Sequence, residues 1–394
     1  MRGIDMRPSG PVERISMEQR LRLMGKSMYA LDEANIRVIT LMHKLGPRNL
    51  LEIARVAGYP PTSVYDRARR LETRVKALSA ANLDHSKLGL RKCITLVESN
   101  PGMEDHVTEA LAVPNYWKTI TRCEGGFTHY GLHAVPENRS QEFEKYVAQI
   151  EQSGLVRRHE TVWVTDYHYS FPNFRLYDPA NRSWSFEWDR WSDYVKEKRN
   201  PKPIRDPPGY LNYADRTDML ILTDLEINAR AKFSDISKLL GITLQAVKHR
   251  YDKRIVPRGL IKEFVINVLP YPPEFSDLYE ILLTFEDEES MNAFFGVSDE
   301  MFPIQRTVKV LGERKLSVRT YSPRSETERL FSMFSGLARS GLVADYSAVR
   351  IRPETQTWQT ISAELFENKT GWKYESSQHF ASLDTILQNA KVSV

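Results

Sequence analysis

The sequence predicts an α+β fold built twice: two winged helix-turn-helix domains, each followed by a ferredoxin-like βαββαβ domain. Three observations predict it. Residues 35–76 and 219–261 overlay without a gap around Gly58 and Gly241, with Ile53 opposite Ile236 and Val64 opposite Val247, 183 residues apart. Beyond each stretch the apolar spacing changes from helical to alternating, which marks a passage from helix to sheet. The elements that follow run in the same order in both halves: strand, helix, strand, strand, helix, strand. Two such halves in one chain are most simply a duplication with loop drift.

Composition sets the class. With 394 residues, 41% of them hydrophobic, the chain can bury more than one core. Fifty-five Lys and Arg against 51 Asp and Glu leave a net charge of only +4, so affinity for nucleic acid has to come from local clustering. Cys93 and Cys123 are the only cysteines, which excludes a disulfide framework and a four-cysteine zinc site. The N-terminus lacks the apolar core of a signal peptide, and no run of about 18 apolar residues could span a bilayer. A cytoplasmic protein without membrane contact is expected.

Residues 1–16 are rich in Arg, Pro and Gly, and residues 17–46 carry apolar stripes at helical spacing, Leu21, Met24 and Met28 in one, Ile36, Ile39, Leu41 and Met42 in another. NLLEIARVAGYPPTSVYDRARRLETRVK then supplies two helices of the first unit. KLGLRKCITLVES reads as a strand, GMEDHVTEALAVP as a helix, NYWKTITRCEGGFTHYGLHAVP as two strands turning near Gly125 and Gly126, SQEFEKYVAQIEQSG as a helix and RRHETVWVTDYHYS as a strand. In the second half, EFVINVLPYPPEFSDLYEILLTFED is strand material, EESMNAFFGVSD a helix, FPIQRTVKVLGERKLSVRTYSP a strand pair, SETERLFSMFSGLARSGLV a helix and ADYSAVRIRPE the last strand. The exit is echoed too, since Pro179 to Trp184 and Pro353 to Trp358 have the same separation, at an offset of 174.

Between the halves, Trp184, Trp188 and Trp191 stand at i, i+4, i+7, a spacing that docks a helix onto a domain more readily than it stacks bases. Prolines 201–208 stiffen the boundary. The expected partition is an N-terminal arm and helix (1–32), the first winged helix-turn-helix (33–84), the first ferredoxin-like domain (85–175), a Trp- and Pro-rich connector (176–216), the second winged helix-turn-helix (217–262), the second ferredoxin-like domain (263–352) and a C-terminal extension (353–394).

Chemistry concentrates in the third helices. Residues 62–76 hold five cations against two acids, and residues 243–258 hold five against one. That is +3 and +4 in a molecule whose total is +4, so charge is gathered where a phosphate backbone would lie. With Val64, Ala68 and Leu71 facing the core, Thr62, Ser63, Arg67, Arg70 and Arg74 are the DNA-facing candidates of the first helix. Thr243, Gln245, Lys248, His249, Arg250 and Lys253 are those of the second, with Arg258 in a wing beside Gly259. A charged face used only for protein contacts is the competing reading. The repetition of the pattern at equivalent places favours double-stranded DNA.

NARAKFSDISKLLGITLQAVKHRYDKRIVPRGLI, with its helix start, Gly-Ile-Thr turn and Gly-Leu-Ile exit, resembles the Lrp/AsnC family of transcription regulators. The resemblance runs over about residues 33–170 and 217–352, and departs where Pro60 stands opposite Thr243, leaving Thr62 to cap the first recognition helix. It implies a sequence-specific regulator whose sheet domains pair into dimers and bind small-molecule effectors, often amino acids. A homodimer of the tandem chain is expected. The family's effector loop has a Thr-Gly-x-x-Asp-like pattern; here CEGGFTHY and LGERKLSV put His129 and Lys315 near the acid's place. The turn at Gly125 and Gly126 with His129 beside it is therefore either an effector site, for an anionic or metal-associated ligand, or a plain tight turn.

The architecture is also similar to the paired subunits of siroheme decarboxylases. That alternative needs histidines and arginines around a tetrapyrrole, and His129, His133, His159, His168, Arg122 and Arg157 are available. Their spacings match no zinc motif, and no Walker loop, GxGxxG or Gly-x-Ser-x-Gly is present. The expectation is a regulator and not an enzyme, without metal or cofactor.

Overall fold

The computed structural model describes residues 31–74, 79–198, 200–268, 271, 275–301 and 303–392; the stripe of Leu21, Met24 and Met28 lies outside them. The first helix-turn-helix is α1 (Glu33–Leu45), α2 (Leu50–Ala57) and α3 (Pro61–Arg74), followed by strand β1 (Ser79–Leu83). Asp32 caps α1 by accepting from the amide of Asn35, and Gly58 closes α2 in the left-handed conformation that a glycine adopts without strain. Pro61 takes the first helical position of α3, where its missing N–H costs nothing, so Thr62 sits inside the helix rather than capping it.

The first sheet domain comprises β2 (Leu90–Ser99), α4 (Glu104–Ala112), β3 (Trp117–Glu124), β4 (His129–Pro136), α5 (Ser140–Gln152) and β5 (Val156–Val164). Short strands β6 (His168–Tyr169), β7 (Tyr177–Asp178) and β8 (Ser183–Trp184) lead into α6 (Trp188–Glu197). The second half repeats this series: α7 (Arg216–Ile227), α8 (Phe233–Leu240), α9 (Leu244–Arg250), β9 (Ile261–Ile266), β10 (Ser276–Phe285), α10 (Glu288–Val297), β11 (Ile304–Lys309), β12 (Lys315–Pro323), α11 (Thr327–Arg339) and β13 (Val343–Ile351). It closes with β14 (Thr357–Trp358), β15 (Phe366–Glu367), β16 (Gly371–Trp372) and α12 (Ser376–Val392). No helix among the described residues is long and apolar enough to cross a membrane.

Two expectations change here. EFVINV does not enter the second sheet: its first four residues lie in β9, which pairs antiparallel with β1, Ala80 opposite Val265, in a ribbon that joins the two helix-turn-helix units. The exit echo is also displaced. The repeat of the β7–β8 hairpin is β15–β16, 188 to 189 residues on, so the offset drifts from 183 upward and does not fall to 174. The duplication thus includes the connector and the tail.

Within the sheets the order is β5-β2-β4-β3 and then β13-β10-β12-β11, joined where Ile351 lies opposite Cys123 and Arg350 opposite Glu124. At the other edge, Val164 bridges Val310 and β6 pairs with β11, while β14 pairs with β3. Alternate residues of both sheets, among them Leu96, Tyr130, Leu132, Leu278, Val308 and Val349, fill one shared core between them. The outer faces carry the helices, and each is then covered by the other half's end. The first half's α6 packs on α10 and α11, and the second half's α12 packs on α4 and α5. In that first contact Trp188 and Trp191 are buried edge to face, and the Trp188 indole N–H donates to Glu326 at 2.7 Å, so the tryptophans serve packing.

Candidate nucleic-acid interface and central cavity

Each recognition helix rests on a buried apolar stripe: Val64, Ala68 and Leu71 in α3, and Val247 in α9. Thr243 caps α9 by accepting from the amide of Ala246 at 3.1 Å. Thr62, Arg69 and Arg70 are exposed on α3; Gln245, Lys248 and His249 on α9, with Lys253 in the π-helical turn after it; Ser63 is half-buried. The side chain of Arg74 lies outside the described residues.

Three arginines expected on the DNA face have partners in the protein. Arg67 Nη1 donates to Asn35 Oδ1 at 2.8 Å and reaches Asp32 at 3.3 Å. Arg250 Nη1 donates to Asp215 at 2.7 Å and to Asp218 at 2.8 Å, and Arg254 reaches the same two carboxylates. Asp218 is wholly buried, so these arginines neutralise it and fasten α9 to α7. Arg258, although exposed, donates to the carbonyl of Tyr213.

The two units also grip one another. Arg48, in the turn before α2, donates to the carbonyls of Ala229 and Ala231 at 2.7 and 2.9 Å and lies 3.9 Å over the Phe233 ring, while Arg230 pairs with Glu72 of α3 at 2.7 Å.

Beneath the β1–β9 ribbon, where both halves meet, lies a cavity of about 310 Å³. Four cations line it: Lys92 of β2, Lys118 of β3, Arg306 of β11 and Arg319 of β12, all of them buried or nearly so. Tyr167, Tyr169, Tyr321 and Trp358 add aromatic wall. Arg319 Nε donates to Glu280 at 2.6 Å and Arg306 Nη2 lies 3.6 Å from the same carboxylate. Lys92 stands 3.5 Å from Asp166, which also takes His85 Nδ1 at 2.7 Å, and Lys118 pairs with Glu226. Burial pushes the Lys92 ammonium down to about 8 despite Asp166, and the Glu280 carboxyl is held below its ordinary range because Arg319 and Arg306 outweigh its burial.

The residues considered for an effector or tetrapyrrole do not converge here. His129 is buried beneath α4, with Nε2 at 3.0 Å from the Glu104 carbonyl and Nδ1 at 2.9 Å from Thr128, and His133 contacts the Leu111 carbonyl at 3.1 Å. His159 pairs with Glu151, His168 with Asp299, Arg122 with Asp105 and Arg157 with Glu98. Gly125 and Gly126 make a tight turn with φ of 106° and 96° that abuts β13: a Cβ on Gly125 would meet the Ala348 carbonyl oxygen at 2.9 Å. Close packing between halves, rather than ligand approach, accounts for the glycine. The cavity cations were missed by sequence reasoning. Their signal was a charge in the middle of an apolar strand, Lys92 in KCITLV and Arg306 and Arg319 in IQRTVKV and LSVRTY.

No protein-family model matches the chain. An uncharacterized HTH-type transcriptional regulator of Pyrococcus furiosus is 42% identical over 53 residues, which cover 14% of this chain and about a third, 35%, of the relative's length. Among solved structures, the siroheme decarboxylase NirDL superposes over 91% of this chain and 100% of its own, with a TM-score of 0.51 and 10% identity. The same enzyme in complex with an iron-uroporphyrin III analogue gives 0.50 and 11% over 91% and 99%. The chain therefore shares with NirDL an α+β fold in which helix-turn-helix and sheet units are duplicated in tandem. The expectation that the chain is not an enzyme does not stand, because two solved structures that superpose on nearly the whole chain are those of an enzyme.

Proposed function

We propose that the chain is a sequence-specific DNA-binding transcription regulator that reads double-stranded DNA with α3 and α9. One observation carries this reading. Arg250 and Arg254 anchor α9 through buried Asp218, while Gln245, Lys248, His249 and Lys253 stay exposed on the same short stretch. Such anchoring fixes the register of exposed side chains, as contact with base edges and phosphates requires. Thr62, Ser63, Arg70 and Arg74 are assigned to the first helix's contact, and Arg67 and Arg258 to positioning. The name of the Pyrococcus relative supports the reading. Pull-down of genomic fragments at two salt concentrations tests it: a few fragments retained at the higher salt are expected, and no enrichment over empty beads refutes it. A homodimer of tandem chains belongs to the proposal, and sedimentation showing only monomer at micromolar protein removes that part.

The whole-chain likeness to NirDL favours one second reading, an enzyme acting on siroheme. Incubation with siroheme and mass spectrometry for products that have lost carbon dioxide tests it. Unchanged siroheme rules it out.

A further inference from the structure

The central cavity is built around a missing negative charge. Lys92, Lys118, Arg306 and Arg319 face three carboxylates, Asp166, Glu226 and Glu280, of which Glu280 serves two guanidiniums and Asp166 serves both Lys92 and His85. From the overlying ribbon, Lys262 and Glu263 offset one another: Lys262 donates to the carbonyls of Asp166 and Tyr167, and Glu263 accepts from Asn82 and the amide of Tyr169. One cation is thus in excess among side chains that are largely buried, an arrangement that is costly unless an anion compensates it.

The donors point the same way. Arg306 Nε and Arg319 Nη2 make no hydrogen bond within the protein, although the two residues are only 8% and 5% exposed and both line the cavity. Unmade bonds from guanidiniums are the costly kind, and such groups match the geometry of a carboxylate. The walls ask for more than an inorganic ion. Lys92 and Arg306 lie 4.1 and 4.0 Å from the centre of the same Tyr167 ring, and Tyr169, Tyr321, Leu132, Leu278 and Ile304 supply apolar and aromatic surface beside the cations. About 310 Å³ is at the small end of ligand sites.

We infer that this cavity binds a small organic carboxylate with a flat apolar body, its carboxylate received by Arg306 and Arg319 and its body held against the tyrosines. The inference is independent of DNA binding. Because the site draws its walls from both sheets, from β1 and from β9, its occupant touches both halves and the ribbon that carries both helix-turn-helix units.

Thermal-shift and calorimetric titrations of the full chain with benzoate and phthalate, set against neutral benzamide and inorganic sulfate, test this. Benzoate or phthalate is expected to raise Tm saturably, with benzamide and sulfate inert, and Arg306→Gln to weaken binding more than tenfold. Should that variant fail to fold, Arg306→Lys keeps the charge but loses the Nε donor, and is expected to weaken the same binding at least threefold. Equal effects of benzoate and benzamide, a response to sulfate alone, no response to any carboxylate, or binding unchanged in both variants overturns the inference.

Discussion

His129 and His133 show what burial does to a titratable side chain in this protein. Both are held neutral: burial, with the Arg122 charge added at His129, lowers their pKa to about 4, and the carbonyls of Glu104 and Leu111 offset this only in part. In the unfolded chain each titrates near 6.5. Between those values the unfolded state binds the protons, so stability falls as pH drops below about 6.5, by about 2 kcal/mol per histidine at pH 5. His168 works the other way, since its pairing with Asp299 outweighs burial and raises it. Urea denaturation at pH 7.5 and pH 5 is expected to show the net loss, smaller in His133→Gln; an unchanged midpoint would contradict it. Arg250 illustrates the second residue-scale rule, that a buried carboxylate must keep its partners. Arg250→Ala is expected to cost about 2–4 kcal/mol because Asp218 is left with Arg254 alone, whereas Lys248→Ala changes stability by less than about 0.5 kcal/mol. Similar melting midpoints for the two variants would sink that distinction.

At the scale of elements, much was legible because the signals are local. Gly58 and Gly241 adopt the left-handed conformation at the ends of α2 and α8, Thr243 caps, and apolar spacing marks the buried stripes. What was not legible depends on partners far away in the chain. SAANL has neither alternation nor strong β-propensity, and is a strand only because β9 pairs with it. Arg250 reads as an outward cation until α7 brings Asp215 and Asp218 beneath it. The cavity's cations come from four strands in two halves, and no spacing within either half announces that they meet.

For the whole molecule, duplication with exchange is the organising fact. Two sheets close on one core, and the ends cross over, α6 onto the second half and α12 onto the first. A residue near one end should therefore matter to the opposite half. Leu383 of α12 is buried against the cluster that includes Val107 and Tyr146, and Leu383→Ala is expected to cost about 2–5 kcal/mol while the chain still unfolds in one transition. A separate early transition confined to the tail would show instead that α12 is an appendage.

The reading of this molecule as a DNA-binding regulator meets its most direct test in the salt dependence of binding. Fluorescence anisotropy with a fragment recovered from the genomic pull-down should give a logarithmic affinity that falls linearly with the logarithm of salt concentration. In Lys248→Ala/Lys253→Ala that slope should shrink by about 1.8, because two phosphates are no longer neutralised, at unchanged folding stability. Binding that ignores salt, or a double variant whose affinity and slope match those of the unaltered chain, would contradict the account.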